Sequence, residues 1–152
     1  MTHRELCIKA GNYLRTKGIV GFHKCKYSVI ELERIRESPD AFGWGLGVTQ
    51  LIEVKISRSD FLSDKNKYWR KHPQYGLGRF RSYLCPHGLI SPSELPDNWG
   101  LLYADDNGRI TVIIKPSEIE SNAKEEIDLI TGIMRREGIK PQTFSYKKYR
   151  DV

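Results

Sequence analysis

The sequence predicts a mixed α/β fold in which a central mixed β-sheet is flanked by helices. Helical patterns stand near both ends of the chain, and two glycine-containing turns separate strand-like runs between them. The predicted order is therefore helix, strands, helix, strands, helix. At 152 residues the chain has the length of about one domain and can bury one core. We expect a single domain over residues 1–140 and a basic, aromatic tail over 141–152.

The first helix is predicted by the segment THRELCIKAGNYLRTKG. Its apolar positions, spaced by four, three and one, are Leu6, Ala10, Tyr13 and Leu14. This periodicity is that of an amphipathic helix, and Gly18 is expected to cap its C-terminus. Beyond this helix β-branched and aromatic residues become frequent, and the strongest strand candidate covers residues 27–35.

A tight hairpin is predicted next, because the glycines at 45 and 47 separate two strand-like runs. Ser57 offers a cap for a second helix, which is expected to run through a basic stretch until Pro73. The later elements are, in order, a strand over 79–86, a loop over 91–98, a hairpin that turns at 106–108 and a helix that ends at Gly138.

Cysteine usage and hydropathy favour a cytoplasmic protein. The three cysteines, Cys7, Cys25 and Cys85, are odd in number and scattered, so no disulfide framework is expected. The first twenty residues lack the apolar run of a signal peptide, and no window approaches the roughly twenty apolar residues that cross a bilayer. We therefore expect cytoplasmic localisation and no membrane partner.

The charge pattern favours a polyanionic partner such as DNA. Lys and Arg number 25 against 19 Asp and Glu, which gives a formal net charge of +6. The densest basic and aromatic segment covers residues 58–81. Its candidates for contacts with the DNA backbone are Arg58, Lys65, Lys67, Arg70, Lys71, Arg79 and Arg81. The alternatives are a solvated basic helix and, around Arg58, a simple helix cap.

Two aromatic residues of this segment, Tyr68 and Trp69, are candidates for stacking on bases. Aromatic side chains at helical spacing more often belong to a core, which is the alternative interpretation.

A candidate active site lies in the first predicted hairpin. Successive side chains of a strand alternate between faces, so Glu53 and Lys55 share one face while Val54 lies on the other. Asp40 is expected at the start of the neighbouring strand, within reach of Glu53. Two close carboxylates raise each other's pKa unless a positive charge lies between them, and a divalent cation supplies that charge. The alternative is that these are the ordinary surface charges of a hairpin.

The chemistry that fits this arrangement is phosphodiester hydrolysis. Oxygen ligands from two carboxylates suit Mg²⁺ or Mn²⁺, which keep part of their water shell. The cation lowers the pKa of a bound water and neutralises charge on the scissile phosphate. Lys55 is expected to orient or deprotonate the attacking water, or to stabilise the pentavalent phosphorus.

These residues carry a resemblance to a known superfamily. The residues PD at 39–40 and EVK at 53–55, after a first amphipathic helix and before a second, resemble the PD-(D/E)XK restriction-endonuclease-like superfamily. The longer runs EVKISRSDFLSDKNKYWRKHPQYGLGRFRSYLCPHGLI and LPDNWGLLYAD are similar to a group of short bacterial, phage or prophage proteins of that superfamily, related to families linked with DNA repair. The resemblance covers roughly residues 29–115.

The resemblance implies a restriction-endonuclease-like core and a Mg²⁺- or Mn²⁺-dependent deoxyribonuclease. The implied catalytic residues are Asp40, Glu53 and Lys55. The implied metal ligands are Asp40, Glu53, the carbonyl of Val54 and an upstream acid, for which Glu31 is the candidate and Glu33 its rival. The implied setting is phage or prophage DNA repair, replication or defence. Cutting both strands would favour a two-fold homodimer.

Two alternatives from other functional classes stay open. The first is a catalytically silent member of the same fold that binds nucleic acid or a protein partner. The second is a zinc-stabilised structural or regulatory protein. Its Cys₂His₂ site would be formed by His23, Cys25, Cys85 and His87.

Overall fold

The structure, a computed structural model, describes residues 1–18, 24–34, 36–139 and 143. The chain forms two compact units, Met1–Asn122 and Ala123–Val152. The predicted single domain over 1–140 stays a prediction. The predicted basic and aromatic tail over 141–152 lies, apart from Thr143, outside the described residues.

The fold class predicted from the sequence is confirmed, since a six-stranded mixed sheet is flanked by helices. The helices are α1 (His3–Thr16), α2 (Arg58–Asp64), α3 (Tyr68–Lys71) and α4 (Ala123–Arg136). The strands are β1 (Tyr27–Ile30), β2 (Ala41–Gly45), β3 (Val48–Val54), β4 (Phe80–Pro86), β5 (Gly100–Ala104) and β6 (Ile110–Ile114). Within the described ranges, none of the helices combines the length and the apolar character needed to cross a membrane.

The six strands lie in the sheet in their chain order. β1, β2 and β3 form an antiparallel meander, β3, β4 and β5 are parallel, and β6 returns antiparallel to β5. The connection from β3 to β4 passes through α2 and α3, since parallel neighbours need a long crossover. The end of β3 therefore lies in the interior of the sheet, directly before α2.

Local sequence fixes both ends of α1. The Thr2 hydroxyl accepts the N–H of Glu5 at 3.2 Å, and the Glu5 carboxylate accepts the N–H of Thr2 at 2.7 Å, which completes a capping box. At the other end Gly18 has a φ of 63°, and its N–H donates to the carbonyl of Tyr13 at 2.8 Å. The predicted glycine cap is confirmed.

The hairpin between β2 and β3 turns on Leu46 and Gly47. Their φ angles are 54° and 76°, the left-handed pair that a two-residue type I′ turn requires. Gly47 adopts this conformation without a side chain to hinder it, whereas Leu46 does so with its side chain directed to solvent. The predicted tight hairpin is confirmed, and its register pairs Ala41 with Ile52.

One face of the sheet forms the main core with α1. The buried members of this core are Leu6, Cys7, Ala10, Leu14, Cys25, Ala41, Ile52, Val54, Leu84, Leu102 and Ala104. On the opposite face Tyr83 stacks on Trp99, with 4.5 Å between ring centroids, and meets Phe61 of α2 edge-on at 5.3 Å. Because strand side chains alternate, Glu53 shares the face of its β4 partner Tyr83. Glu53, the charged residue of β3, therefore faces α2.

Two predicted elements differ in extent from the sequence prediction. The strand expected over 27–35 ends at Ile30, because Glu31 adopts a left-handed φ of 47° that a strand cannot continue. The single helix expected after Ser57 is broken between α2 and α3, where Lys67 has an extended backbone with φ −62° and ψ 142°.

An ion pair between α2 and α3 explains why the helix is broken. The Nε of Arg70 in α3 lies 2.7 Å from the Oδ2 of Asp64 in α2. Six residues turn an uninterrupted helix by about 600°, which would leave these two side chains on different faces. The break lets both of them point toward the sheet. A 3₁₀ turn at Pro73–Tyr75 then leads toward β4.

The later elements follow the prediction. β4 occupies the expected strand, and the hairpin of β5 and β6 turns with Gly108 at a φ of 78°. The loop expected over 91–98 contains one short 3₁₀ turn, Pro92–Glu94. In the second unit α4 is followed by Gly138 with a φ of 79°, as expected for a helix that ends at glycine.

Candidate functional site

The structure brings Asp40 and Glu53 together where β2 begins and β3 ends. The pairing of Ala41 with Ile52 makes positions 40 and 53 the next opposite pair of these antiparallel strands. Besides burial, the negative charge of Asp40 contributes to raising the pKa of the Glu53 carboxyl, as expected for two neighbouring carboxyl groups. The Asp40 carboxylate also accepts the N–H of Val54 at 2.9 Å, which fixes its position. We refer to Asp40 and Glu53 as the acid pair.

Within the acid pair, Glu53 has a pKa raised well above the ordinary value of a glutamate. Burial raises the pKa of Glu53 to about 7, with a contribution from the charge of Asp40 and opposition from Arg70 and Lys67. The Glu53 side chain is only 3% exposed. A divalent cation bound by the two carboxyls would offset their repulsion and favour the ionised form of Glu53. The acid pair therefore has the chemical character of a cation site.

Next to the acid pair lies a buried ion network of three acids and three bases. Its members are Glu37, Glu53, Asp64, Lys55, Lys67 and Arg70. The Arg70 guanidinium binds all three acids, at 2.7 Å from Glu53 and Asp64. It lies 3.0 Å from Glu37 and stands over the Trp99 ring, 4.5 Å from the centroid. The formal charges of the network cancel, which limits the cost of burying them.

Lys55 is held inside this ion network. Its backbone N–H donates to the carbonyl of Leu84 at 2.9 Å, so the pairing of β3 with β4 continues one residue beyond β3. Its ammonium nitrogen lies 3.0 Å from Asp64 and 3.4 Å from Asp60, and its side chain is only 4% exposed. Lys55 therefore lies on the face of β3 that carries Glu53, and its position is fixed.

Asp64 is the acid that positions Lys55. Burial alone would raise the pKa of Asp64, but Arg70, Lys67 and Tyr83 together lower it well below the ordinary range. The Tyr83 hydroxyl donates to Oδ2 of Asp64 at 2.5 Å. Asp64 is thus ionised at neutral pH and supplies the negative charge that allows Lys55 to be buried. Sequence reasoning did not assign Asp64 a role.

Two of the predicted DNA contacts lie inside the protein. The Arg70 side chain is 2% exposed within the ion network. Arg81 is 1% exposed and donates to the carbonyls of Gly78 and Pro73 at 2.8 and 2.7 Å. Both guanidinium groups are engaged in holding the chain together. This placement corrects the prediction that they contact a DNA backbone, because a phosphate reaches only exposed cations.

The other basic candidates differ in how accessible they are. Lys65 and Lys71 are exposed. Lys67 keeps 38% of its side chain exposed while it takes part in the ion network. Arg58 and Arg79 are exposed, and each forms a salt bridge with a glutamate of the same surface. Lys65 and Lys71 are therefore the candidates whose charge is most open to a phosphate.

An exposed aromatic group lies in the same segment of the chain. Tyr68 and Tyr75 are 55% and 51% exposed, and their rings are nearly parallel with 6.0 Å between centroids. The His72 ring contacts both, at 4.5 and 6.2 Å. Trp69 is only partly exposed, and its ring nitrogen is buried. The geometry thus suits base stacking by Tyr68 and Tyr75 rather than by Trp69.

Glu31, the predicted upstream metal ligand, lies close to the acid pair. Its N–H donates to the carbonyl of Asp40 at 3.0 Å, and its carboxylate forms a salt bridge with Arg4. A carboxylate oxygen of Glu31 lies within 4.8 Å of ligand atoms of His3 and Cys7. Sequence reasoning missed His3 and Cys7, although their spacing of four on a helix places them on one face.

Two further predicted ligands stay predictions. Glu33, the rival of Glu31, is exposed. Val54 uses its N–H to bind Asp40, and the metal-binding role implied for its carbonyl is a separate expectation.

The predicted Cys₂His₂ zinc site does not assemble from its cysteines. Cys25 belongs to the core on the α1 side of the sheet. Cys85 follows Leu84 on β4, and because Leu84 faces α1, Cys85 lies on the opposite face. The sheet therefore separates the two thiols, which corrects the prediction. Of the two histidines, His23 lies outside the described residues.

Comparison with known proteins supports the fold. No family model and no curated protein matches the chain. Among solved structures, the chain is similar to a protein of unknown function from Silicibacter pomeroyi, with a TM-score of 0.59 and 19% sequence identity. The similarity covers 95% of this chain and 99% of that chain. The chain therefore shares its fold with this solved protein over almost the whole length of both.

Proposed function

We propose that the protein is a metal-dependent deoxyribonuclease of the PD-(D/E)XK type, which hydrolyses phosphodiester bonds of DNA. The observation that carries this proposal is the acid pair, in which the β2–β3 register sets Asp40 opposite Glu53 and the Asp40 carboxylate accepts the N–H of Val54. Lys55 follows two residues after Glu53 on the same face. These are the positions to which the resemblance assigns metal binding and catalysis. The order of elements adds support, since α1 precedes the acid pair and α2 follows it.

The acid pair supplies ligands for a hard divalent cation. Carboxylate oxygens suit Mg²⁺ or Mn²⁺. Arg70 holds Oε1 of Glu53 at 2.7 Å, which restrains the carboxylate beside Asp40. When bound, such a cation activates a water and neutralises charge on the scissile phosphate. A bound cation would also keep Glu53 ionised, because a carboxyl group ligates a metal in its deprotonated form.

Lys55 provides a stationary positive charge next to the acid pair. Asp64 holds its ammonium group, and burial limits the screening of its charge by water. Negative charge grows on the phosphate oxygens as the pentavalent transition state forms. A cation already in position lowers the energy of that state, because no reorganisation is needed during the reaction.

DNA is the proposed substrate because accessible cations and aromatic rings follow the acid pair in the chain. Lys65 and Lys71 are suited to backbone phosphates. Tyr68 and Tyr75 present parallel rings on which bases can stack. The setting implied by the resemblance, phage or prophage DNA repair, replication or defence, belongs to the same proposal. So does a two-fold homodimer if both strands are cut.

The test compares the wild type with Asp40→Asn and Lys55→Met on supercoiled, linear, single-stranded and branched DNA, and on RNA, with Mg²⁺ or Mn²⁺. We expect Asp40→Asn to abolish metal-dependent cutting and Lys55→Met to slow it by about 100-fold or more. Asp106→Asn, in an exposed turn, is the matched control and should cut like the wild type. Cleavage that is equal in all four proteins would reject the proposal.

A second candidate function is a catalytically silent member of the fold that binds nucleic acid or a protein partner. The observation that favours it is the ion network, in which Glu53 and Lys55 are engaged by Arg70 and Asp64. Such a network holds both residues in structural ion pairs, a role that does not require the protein to catalyse a reaction. Metal-independent DNA binding by the wild type, with no cutting on any substrate, would support this candidate.

A further inference from the structure

His3, Cys7 and Glu31 form a compact cluster of three different metal-ligating side chains. One ligand atom from each residue lies within 4.8 Å of the other two. Ligand atoms around a tetrahedral Zn²⁺, which bonds nitrogen, sulfur and oxygen at about 2.0–2.3 Å, are separated by somewhat less than this. A small inward movement of flexible side chains would close the cluster on an ion.

We propose that His3, Cys7 and Glu31 bind a transition-metal cation of borderline softness, with Zn²⁺ as the representative ion. The thiol sulfur distinguishes this site from the acid pair. Thiolate and imidazole suit Zn²⁺, whereas Mg²⁺ is bound almost entirely by oxygen. Three protein ligands leave a fourth position open for water or another ligand. The zinc site does not require the proposed nuclease activity, although it adjoins the acid pair: His3 contacts Asp40, and Glu31 is also the predicted upstream ligand of the acid pair.

Each of the three residues is held in place by local structure. The capping box of Thr2 and Glu5 fixes the first turn of α1, where His3 lies. Cys7 lies one turn later on the same side, with no exposed surface. Glu31 adopts a left-handed φ of 47°, a conformation uncommon for a residue other than glycine. The cluster thus joins the start of α1 to the end of β1.

Both ring nitrogens of His3 lie near the sulfur of Cys7, Nδ1 at 3.5 Å and Nε2 at 4.0 Å. Nε2 also lies 3.4 Å from Oδ1 of Asp40. Nδ1, which is nearer to the sulfur and has no carboxylate contact among these, is the nitrogen better placed to bind a metal together with Cys7. Nε2 then carries the proton and faces a carboxylate, which is the usual way in which a metal-bound histidine is oriented.

The carboxylates around Cys7 favour a cation in this cluster. Glu31 belongs to the cluster, and Asp40 lies against His3 with 3.4 Å between Oδ1 and Nε2. A bound metal ion would take up the negative potential of these carboxylates. Arg4 already pairs with Glu31, and this contact leaves the second carboxylate oxygen as the one to ligate.

The test uses Co²⁺ as a spectroscopic probe for the full-length protein. Thiolate bound to Co²⁺ gives a charge-transfer absorption that oxygen and nitrogen ligands do not give. We expect the wild type to show this band at one equivalent of Co²⁺ and to lose it when Zn²⁺ is added. Cys7→Ser should lack the band and bind Zn²⁺ at least about tenfold more weakly, as loss of even an outer partner can cost that much.

Matched variants separate this site from other thiols and from the acid pair. Cys85→Ser removes a buried thiol on the opposite face of the sheet and should keep the band. Glu53→Gln should keep it too, although the proposed nuclease activity would be lost. His3→Ala changes a side chain that is 38% exposed, so it should fold normally and still weaken Zn²⁺ binding.

Two results would overturn the inference. One is a wild type that gives no charge-transfer band with Co²⁺. The other is a band or a Zn²⁺ affinity that is unchanged in both Cys7→Ser and His3→Ala. Circular dichroism of each variant verifies folding, and if Cys7→Ser does not fold, the Zn²⁺ affinity of His3→Ala decides.

Discussion

The ammonium nitrogen of Lys55 lies 3.0 Å from Oδ1 of Asp64, and neither side chain is more than 4% exposed. A buried ion pair seldom stabilises a fold more than well-packed apolar residues would, but loss of one partner leaves the other charge buried without compensation. The pair therefore serves to fix position. It holds Lys55 on the face of β3 that carries Glu53, where the proposed reaction needs a stationary cation.

Asp64→Asn is expected to lower the free energy of unfolding by about 3–5 kcal/mol at neutral pH, because Lys55 and Arg70 lose a buried counter-charge. Asp60→Asn is the control, since Asp60 also lies near Lys55 but is 49% exposed. Loss of the Asp60 carboxylate is expected to lower the free energy of unfolding by about 1 kcal/mol or less. Urea denaturation measures both variants, and equal losses would contradict the assigned importance of burial.

Asp64 also makes the free energy of unfolding depend on pH. The pKa of Asp64 in the folded protein is lowered below its ordinary value of 3.8, so the unfolded chain takes up the proton at a higher pH. The ionised Asp64 carboxylate stabilises the folded protein fully at a pH above the pKa that Asp64 has in the unfolded chain. This stabilisation is lost as the pH falls from that pKa to the lower pKa of Asp64 in the folded protein. Between about pH 5 and 2, the wild type should therefore lose stability more steeply than Asp64→Asn. Parallel denaturation curves would refute this linkage.

Arg70 and Arg79 should respond differently to the same substitution. Arg70→Met removes the shared partner of three buried acids and is expected to cost about 3–5 kcal/mol. Arg79→Met breaks an exposed salt bridge with Glu118 and is expected to cost about 1 kcal/mol or less. Thermal and urea unfolding compare them. If Arg70→Met keeps its stability but binds DNA weakly, that result would support the sequence prediction that Arg70 contacts DNA.

The parts of the fold that were predictable from the sequence depend on neighbouring residues. The turn at Leu46 and Gly47 and the cap at Gly18 follow from backbone preferences that a few residues determine. The break after α2 was not predictable in this way. It depends on an ion pair between Asp64 and Arg70, whose geometry exists only when both helices lie on the sheet.

In the candidate site, too, some features follow from neighbouring residues and others depend on tertiary packing. Strand alternation and hairpin register were enough to place Asp40 beside Glu53. Composition could not show that the side chain of Arg70 is buried whereas Lys71 is exposed, because the two residues are adjacent and equally basic. The proximity of Cys7 to Glu31, whose ligand atoms lie within 4.8 Å of each other, also escaped prediction, because only the packing of α1 on the sheet brings these residues together.

The parallel rings of Tyr68 and Tyr75 lead to a prediction about single-stranded DNA. Replacing either residue by alanine should weaken binding by about 1–3 kcal/mol for each base that loses its stacking partner. Tyr27→Ala is the control, because Tyr27 is 53% exposed but lies on β1. Fluorescence anisotropy with labelled oligonucleotides measures the affinities. Equal effects of all three substitutions would argue against a stacking role.

Lys65 and Lys71 are expected to determine how strongly DNA binding depends on salt. Each phosphate that a lysine neutralises releases a bound counterion, so the slope of log Kobs against log salt should shrink by about 0.7–0.9 for each lysine removed. The double variant Lys65→Ala with Lys71→Ala should therefore lose about 1.4–1.8 from that slope. Lys24→Ala with Lys115→Ala, also exposed, is the matched control of equal charge and should leave the slope unchanged. A slope that falls equally in both double variants would mean that DNA responds to the net charge of the protein, and not to a surface centred on these two lysines.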